Sequence, residues 1–238
     1  MSRIDGRKND ELRSMEIIPH INKFAEGSCL IRCGNTHVLC TASVEEGAPR
    51  HVPEGTGWVT AEYSMLPRAN RERSKRDIAK LKLSPRSAEI QRLVGRSLRS
   101  CVDLAKLGDR TVTIDCDVLQ GDGGTRTASV TGGYVALCLA IQKLLYDGTL
   151  TENPLVDSVA AVSAGIVGDE LLLDLCYEED SSAQVDLNCV MTGSGALVEL
   201  QGTGEGRAFT IAEQRSLVDL CAGGIREIQA IQKNVLEG

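Results

Sequence analysis

Apolar and polar residues alternate strictly between positions 111 and 118. The apolar members recur at every second position: Val112, Ile114, Cys116 and Val118. This period places them on one face of a β-strand and leaves Asp115 and Asp117 together on the other face. The pattern predicts a strand that buries one of its faces.

A helix follows this strand after a glycine-rich turn. Beyond position 129 the apolar residues recur at helical spacing: Val130, Tyr134, Leu137, Ile141, Leu144 and Leu145. Gly148 is a natural residue for ending the helix, because glycine readily adopts the left-handed conformation common there. The turn itself, residues 121–126, reads GDGGTR, and its adjacent glycines free it from the usual limits on φ. The segment predicts strand, turn and helix in succession.

Further elements are predicted on both sides of this segment. Strand patterns cover residues 16–19, 27–33, 36–44, 57–63, 158–167, 170–177, 184–191 and 196–201. Gly34-Asn35 is a good two-residue hairpin turn. Ser84 and Pro85 open one helix as N-cap and first helical residue. Its apolar stripe is Ile90, Leu93, Val94, Leu98, Cys101 and Val102. A last helix covers residues 210–235.

These elements fall into two halves that each place strands first and a helix last. Residues 1–150 form the first half and residues 151–238 the second, joined by a linker at 151–157. Runs of strands followed by helices favour an α+β fold over a strictly alternating one. We expect two similar halves in one subunit.

Composition adds that the protein is globular. The chain has 238 residues, of which 42% are hydrophobic, enough to bury a substantial core. We expect no apolar run of membrane-spanning length, and no signal peptide in the charged first residues. Nine cysteines, an odd number without a Cys-x-x-Cys pair, favour buried free thiols over zinc ligands. We expect a soluble, cytoplasmic protein.

Charge is distributed unevenly along the chain. The net charge is −7, so the protein as a whole does not attract nucleic acid. Residues 68–82, here called the basic segment, set seven cations against Glu72 and Asp77. The cations are Arg68, Arg71, Arg73, Lys75, Arg76, Lys80 and Lys82. The segment is too polar for a core and predicts an exposed loop or a frayed helix.

The glycine-rich turn is a candidate anion site. Backbone N–H groups and the positive end of the helix dipole converge where a helix begins. Thr125 and Arg126 add a hydroxyl and a forked donor that suits phosphate. Arg86 lies in the first turn of its helix and opposes the helix dipole, a cost that a bound anion would offset. The alternatives are a turn whose glycines only permit close packing, and a solvated arginine.

A second candidate is the acidic segment over residues 174–188. Glu178, Glu179 and Asp180 are predicted to end one strand, and Asp186 lies within the next, so a hairpin would bring Asp180 and Asp186 together. Two carboxylates at the end of a sheet can hold Mg²⁺, or one can act as a general acid. The alternative is an acidic surface loop. Asp186, a charge inside a strand pattern, argues for function.

Six segments match one known pattern in the right order. They are RxDGRxxxExR (3–13), WVTAEYSMLPRA (58–69), SPRSAEIQRLVGRSLR (84–99), DCDVLQGDGGTRTASVTGG (115–133), DLCYEEDSSAQVDLN (174–188) and ELQGTGEG (199–206). With them the chain resembles the ribonuclease PH family, phosphate-dependent exoribonucleases that trim the 3′ ends of transfer RNA precursors. The resemblance implies a compact α+β subunit of two similar halves and a hexameric ring built as a trimer of dimers.

The resemblance also implies roles for individual residues. Inorganic phosphate is assigned to four of them: Arg86, Gly124, Thr125 and Arg126. Catalysis and a divalent metal, Mg²⁺, are assigned to Asp180 and Asp186. Transfer RNA is assigned to three arginines of the basic segment: Arg68, Arg73 and Arg76.

The implied reaction is phosphorolysis. Phosphate attacks the terminal 3′,5′-phosphodiester and releases a nucleoside diphosphate, and the reverse reaction adds nucleotides to RNA 3′ ends. Positioning and electrostatic stabilisation carry such a reaction. Two alternatives stay open. One is a hydrolytic, Mg²⁺-dependent nuclease, which would not need the anion site, and the other is a non-catalytic RNA-binding ring subunit.

Overall fold

The alternating segment around Ile114 lies inside a five-stranded sheet. The computed structural model describes residues 3–76 and 82–238. The strands of this sheet are β1 (Met15–Pro19), β2 (Gly27–Cys33), β3 (Thr36–Glu46), β4 (Trp58–Met65) and β5 (Arg110–Gln120). They are ordered β1-β2-β3-β5-β4, and β4 runs parallel to β5 while the other neighbours are antiparallel. As predicted, β5 buries Val112, Ile114, Cys116 and Val118.

Helix α3 (Thr125–Tyr146) fills the core against this sheet. By length and composition it could cross a membrane, so the expectation that no apolar run reaches that length is wrong. However, 83% of its most apolar window is buried inside the fold. The apolar sequence therefore serves packing, and the helix approaches the sheet closely. A Cβ added at Gly132 would lie 2.7 Å from Cγ2 of Ile31.

Two shorter helices complete the first half. Helix α1 (Pro85–Arg99) begins as predicted, because the Ser84 hydroxyl accepts a hydrogen bond from the Ser87 N–H. Cys101 and Val102 are buried but lie beyond the end of the helix. Helix α2 (Leu104–Leu107) was not predicted, since four residues are too few to display a helical period.

The second half is a four-stranded antiparallel sheet covered by one long helix. Its strands are β6 (Val159–Val167), β7 (Glu170–Leu173), β8 (Val185–Thr192) and β9 (Leu197–Gly204), ordered β7-β6-β8-β9. Helix α5 (Ile211–Glu237) begins at the Thr210 cap. It packs apolar residues onto the sheet: Leu217, Cys221, Ile225 and Ile228. The predicted α+β fold of two sheet-and-helix halves is confirmed.

The acidic segment differs from its prediction. Strand β7 ends at Leu173 and not at residue 177, because Asp174 adopts a positive φ of 51°. Residues 178–180 do not end a strand; they belong to a short helix, α4 (Tyr177–Asp180), in which the Glu179 carboxylate accepts from the Cys176 N–H at 3.1 Å. The predicted hairpin is also wrong, because β7 and β8 pair with opposite edges of β6.

All nine cysteines are buried and unbridged, as predicted. Most lie in the apolar faces of strands and helices, where they act as small core residues. Burial raises the pKa of the Cys33 thiol to about 12, so this thiol stays protonated at neutral pH.

Candidate active site

One small polar cavity lies where the two halves meet. Its volume is about 210 Å³. It is lined by Arg86, Gly124, Thr125, Arg126, Ser163, Asp180, Ser181, Asp186, Asn188 and Glu205. The residues that the sequence assigned to phosphate and the two candidate catalytic aspartates therefore meet in one cavity. They come from α1, the start of α3, α4 and β8.

The glycine-rich turn delivers the N-terminus of α3 to this cavity. Gly123 and Gly124 both have positive φ, 78° and 64°. A Cβ at Gly123 would lie 2.5 Å from the Leu175 carbonyl oxygen, so the turn packs tightly against the second half. Gly124 is the N-cap, and no side chain among the described residues caps the helix. The first backbone N–H groups of this 22-residue helix are thus left for another acceptor.

Thr125 is oriented by a buried tyrosine. The Tyr63 hydroxyl lies 2.9 Å from Oγ1 of Thr125. Burial raises the pKa of Tyr63, while the hydrogen bond shared with Thr125 and the charge of Arg86 act against that rise. The phenol therefore stays neutral and links the threonine of α3 to the arginine of α1.

Arg126 is held by two side chains that do not line the cavity. Its Nη1 donates to Oε1 of Glu89 at 3.2 Å and to Oε1 of Gln201. The Gln201 amide in turn donates to Oε1 of Glu89 at 3.1 Å. The Arg126 side chain is only 15% exposed, so its guanidinium has a fixed place at the cavity.

Both aspartates are partly buried and harder to ionise than usual. Burial and the neighbouring Asp180 charge raise the pKa of Asp186 to about 6, although Arg126 and the Asn188 amide oppose the shift. The Asn188 Nδ2 donates to Oδ2 of Asp186 at 3.0 Å. Burial and the charge of Glu205 raise the pKa of Asp180, against Arg86 and Arg126. Two desolvated carboxylates that repel each other make a site that favours a cation.

Arginines near the N-terminus clamp the two halves together behind the cavity. Arg13 Nη2 lies 2.6 Å from Oδ1 of Asp174, and its Nη1 donates to the Asp122 carbonyl at 2.6 Å. Burial alone would raise the pKa of Asp174, but Arg13 holds it below its ordinary value. Arg3 donates to both carboxylate oxygens of Glu179 at 2.8 and 2.7 Å. The clamp fixes the glycine turn relative to α4, which carries Asp180.

The basic segment is irregular and mostly exposed where the structure describes it, in agreement with the predicted exposed loop, although Ala69 is buried. Arg68, Arg73 and Arg76 are all exposed. Arg68 lines a separate groove of about 690 Å³, while the charge of Arg76 acts on Asp117, whose pKa burial raises. Lys80 lies outside the residues that the structure describes. The three predicted RNA contacts are therefore spread over a surface and do not enter the polar cavity.

Some residues of the site were not singled out from the sequence. They are Tyr63, Glu89, Asn188, Gln201 and Glu205. Four of them lie inside segments that carried the family resemblance, and the fifth, Asn188, ends one. Polar character at a buried or strand position was the available signal. It did not show which partner each would meet, because the partners come from distant parts of the chain.

Comparison with known protein families gives matches in both halves. Residues 11–141 match domain 1 of the 3′ exoribonuclease family, and residues 157–219 match its domain 2. Ribonuclease PH of Bacillus pumilus is 55% identical over 235 residues, which cover 98% of this chain and 97% of that protein. Ribonuclease PH of Moorella thermoacetica is 54% identical over 237 residues, or 99% and 95% of the two chains.

Solved structures share the fold. A chain of the Archaeoglobus fulgidus exosome with RNA bound to the active site is 27% identical, with a TM-score of 0.77 over 96% of this chain and 92% of that one. Rice Rrp46 superimposes with a TM-score of 0.80 over 98% and 100% of the chains at 17% identity, a likeness of fold alone. From the two matched domains and the full-length relatives, this chain belongs to the ribonuclease PH group of the 3′ exoribonuclease family.

Proposed function

We propose that the polar cavity is the active site of a phosphorolytic 3′→5′ exoribonuclease. The chain is an enzyme of this type by its family, and its substrates are RNA and inorganic phosphate. One observation carries the assignment of the site: the glycine turn, Arg86 and Arg126 share a cavity with Asp180 and Asp186. An anion site beside paired carboxylates suits a reaction in which phosphate attacks a phosphodiester.

The nucleophile would be inorganic phosphate, bound at the start of α3. The uncapped N–H groups and the Thr125 hydroxyl supply neutral donors, and Arg86 and Arg126 supply charged ones. Phosphate and RNA are both anions, so bringing them together is a large part of the barrier. A preformed site removes that part, because its dipoles and cations are already oriented before the substrates arrive.

Asp180 and Asp186 fit a divalent cation, for which we propose Mg²⁺. Burial raises the pKa of both carboxyls, and the charge of Asp180 adds to the rise at Asp186 while the charge of Glu205 adds to it at Asp180. A bound cation would relieve both effects. The described residues contain no group of three or more His, Cys, Asp or Glu side chains that could hold a metal. Two carboxylates with waters and substrate oxygens are the ligand set that Mg²⁺ commonly uses. When bound, the cation would neutralise charge on the scissile phosphate and the leaving 3′ oxygen.

The RNA would approach over the exposed basic segment. Arg68, Arg73 and Arg76 lie outside the cavity, so they would contact the body of a transfer RNA precursor and not its reacting end. The family and the exosome-like fold support a ring, and we propose a homohexamer built as a trimer of dimers. In such a ring the basic segment of one subunit could serve the cavity of a neighbour.

Phosphate dependence tests this function. A transfer RNA with extra 3′ nucleotides is incubated with the protein, Mg²⁺ and phosphate, and the released nucleotides are separated by chromatography. The proposal requires nucleoside diphosphates that appear only with phosphate, and chain extension when diphosphates are supplied instead. Monophosphates released equally well without phosphate would identify a hydrolytic nuclease and overturn it.

A further inference from the structure

The guanidinium of Arg126 is fixed by two side chains that do not line the polar cavity. We propose that Glu89 and Gln201 are positioning residues that orient Arg126 for inorganic phosphate. The inference rests on the proposed function, because it takes the anion at the start of α3 to be phosphate.

The three side chains form a closed hydrogen-bonded network. Arg126 Nη1 donates to Oε1 of both Glu89 and Gln201, and Gln201 Nε2 donates to the same Glu89 oxygen. Each member therefore has two partners within the network. A planar guanidinium that is held at one nitrogen by two acceptors has little freedom to rotate.

The network leaves the other edge of the guanidinium available. Arginine has five N–H donors in a fixed fork, and within the described part of the chain Nη1 alone makes the side-chain hydrogen bonds of Arg126. Arg126 lines the polar cavity, whereas Glu89 and Gln201 do not. Nε and Nη2 are thus free to contact an anion while Nη1 is anchored outside.

The anchor also ties the two halves of the site to each other. Glu89 lies on α1 and Arg126 on α3, but Gln201 lies on β9 of the second sheet. In that sheet Gln201 pairs with Asn188, the residue whose amide donates to Asp186. The orientation of Arg126 is therefore set from the same pair of strands that carries the catalytic carboxylate.

Kinetics with phosphate as the varied substrate test the inference. Glu89→Ala and Gln201→Leu each remove acceptors of Nη1. Each should raise the KM for phosphate by roughly tenfold, the effect of misaligning about one charge-assisted hydrogen bond. The kcat at saturating phosphate and the KM for RNA should stay within about threefold, because Arg126 itself remains. Glu89→Gln keeps an acceptor at the same place and should retain a KM for phosphate close to that of the wild type.

A neighbouring ion pair supplies a matched control. Arg96 and Glu199 also join α1 to β9. Among the described residues, neither hydrogen-bonds to Arg126 and neither lines the cavity. Glu199→Ala should leave the KM for phosphate unchanged. Equal effects of Glu199→Ala and Glu89→Ala would reduce the network to a structural link between halves and overturn the inference. A lower KM for phosphate in Glu89→Ala would also overturn it, since Glu89 would then compete with the anion.

A binding measurement separates this inference from the proposed function. Titration calorimetry with inorganic phosphate and no RNA should show weaker binding to Glu89→Ala and Gln201→Leu than to wild type and Glu199→Ala. If the four proteins differ in phosphate affinity in this way but the wild type releases no nucleoside diphosphates from RNA, the proposed function fails while the positioning roles stand. If all four proteins bind phosphate equally, the positioning roles are refuted whatever the activity.

Discussion

At the scale of single residues, the environment of Asp180 and Asp186 acts on their pKa values in opposite directions. Burial and repulsion raise the pKa of both carboxyls, while Arg126 stabilises their charges. Such a pair would be costly to bury without a function, because each desolvated charge loses hydration that no fixed cation partner fully replaces. Their burial therefore supports the proposed catalytic role more strongly than their sequence pattern did.

Removing either charge should stop the reaction and leave RNA binding intact. A bound metal is expected to contribute several kcal/mol to the transition state, and each 1.4 kcal/mol is about a factor of ten in rate. Asp180→Asn and Asp186→Asn should therefore each lower turnover by several orders of magnitude, with RNA affinity changed by no more than a few fold. Asp115→Asn is the control, because Asp115 is also half-buried but lines a different groove. Near wild-type turnover in both Asp180→Asn and Asp186→Asn would show that the acidic segment is only a surface loop.

The pair Arg13–Asp174 should matter for stability as well as for the site. Both side chains are buried, with 4% and 5% of their surface exposed. Removing one partner of a buried pair typically costs about 3 to 5 kcal/mol, because the other charge is left without compensation. Asp174→Ala should lower the free energy of unfolding by that amount in urea. Glu16→Ala breaks the exposed pair with Arg32 and should cost less than about 1 kcal/mol. Equal urea midpoints of unfolding for Asp174→Ala and Glu16→Ala would show that the Arg13–Asp174 pair does not stabilise the fold more than an exposed ion pair.

The same pair has a pH signature. The pKa of Asp174 in the folded protein lies below its ordinary value of 3.8. A depressed carboxyl pKa stabilises the fold above the unfolded-state pKa, and this stabilisation is lost as pH falls through the folded-state value. The stability difference between wild type and Asp174→Asn should therefore be constant near neutral pH and shrink below about pH 4. A difference that persists unchanged to pH 2 in urea titrations would exclude this origin.

At the scale of elements, the basic segment is exposed and separate from the cavity. Contacts to RNA phosphates release counterions, so affinity falls by about 0.7 to 0.9 log units per log unit of salt for each contact. Replacing Arg68, Arg73 and Arg76 with alanine should flatten this slope by up to about 2 to 3 units and weaken transfer RNA binding. Phosphorolysis of a short single-stranded oligonucleotide should change far less. Superimposable slopes and equal affinities for wild type and triple variant would show that these arginines do not touch RNA.

The sequence predicted elements where the side-chain period was long and local. The alternation of β5, the helical spacing of α3, and the Ser84 cap of α1 all depend on near neighbours, and all are confirmed. The path from Asp174 to Asp180 was not predictable in the same way. There the strand stops because Asp174 turns toward Arg13, 161 residues away in sequence. A contact between residues so far apart in sequence produces no periodic pattern in the local sequence.

The candidate site followed the same division. Six of the ten residues that line the cavity were named from the sequence, and the structure brings them together. The way in which Asp180 and Asp186 meet was wrongly predicted, since β6 separates β7 from β8. Tyr63, Glu89 and Gln201 were missed because their roles exist only through contacts with α3. The sequence motifs identified the residues proposed to contact substrate, and the structure was needed to identify the residues that orient them.

At the scale of the whole molecule, the basic segment proposed to bind RNA and the polar cavity lie at different places. A ring would let a basic segment from one subunit face the cavity of another. We predict a hexamer at micromolar concentration, measured by light scattering coupled to size exclusion. A monodisperse monomer with full activity would refute the ring.

In phosphorolysis, inorganic phosphate itself becomes part of the product. An oxygen of the incoming phosphate bonds to the phosphorus of the terminal phosphodiester, and the bond from that phosphorus to the 3′ oxygen of the shortened RNA breaks. The incoming phosphate thereby becomes the β-phosphate of the released nucleotide. The reaction can therefore be followed with ³²P-labelled inorganic phosphate and a tailed transfer RNA whose own nucleotides carry no label. The ³²P should appear in the β-phosphate of the released nucleoside diphosphates, with one labelled phosphate for each nucleotide removed. Unlabelled monophosphates, formed at the same rate without phosphate, would contradict it.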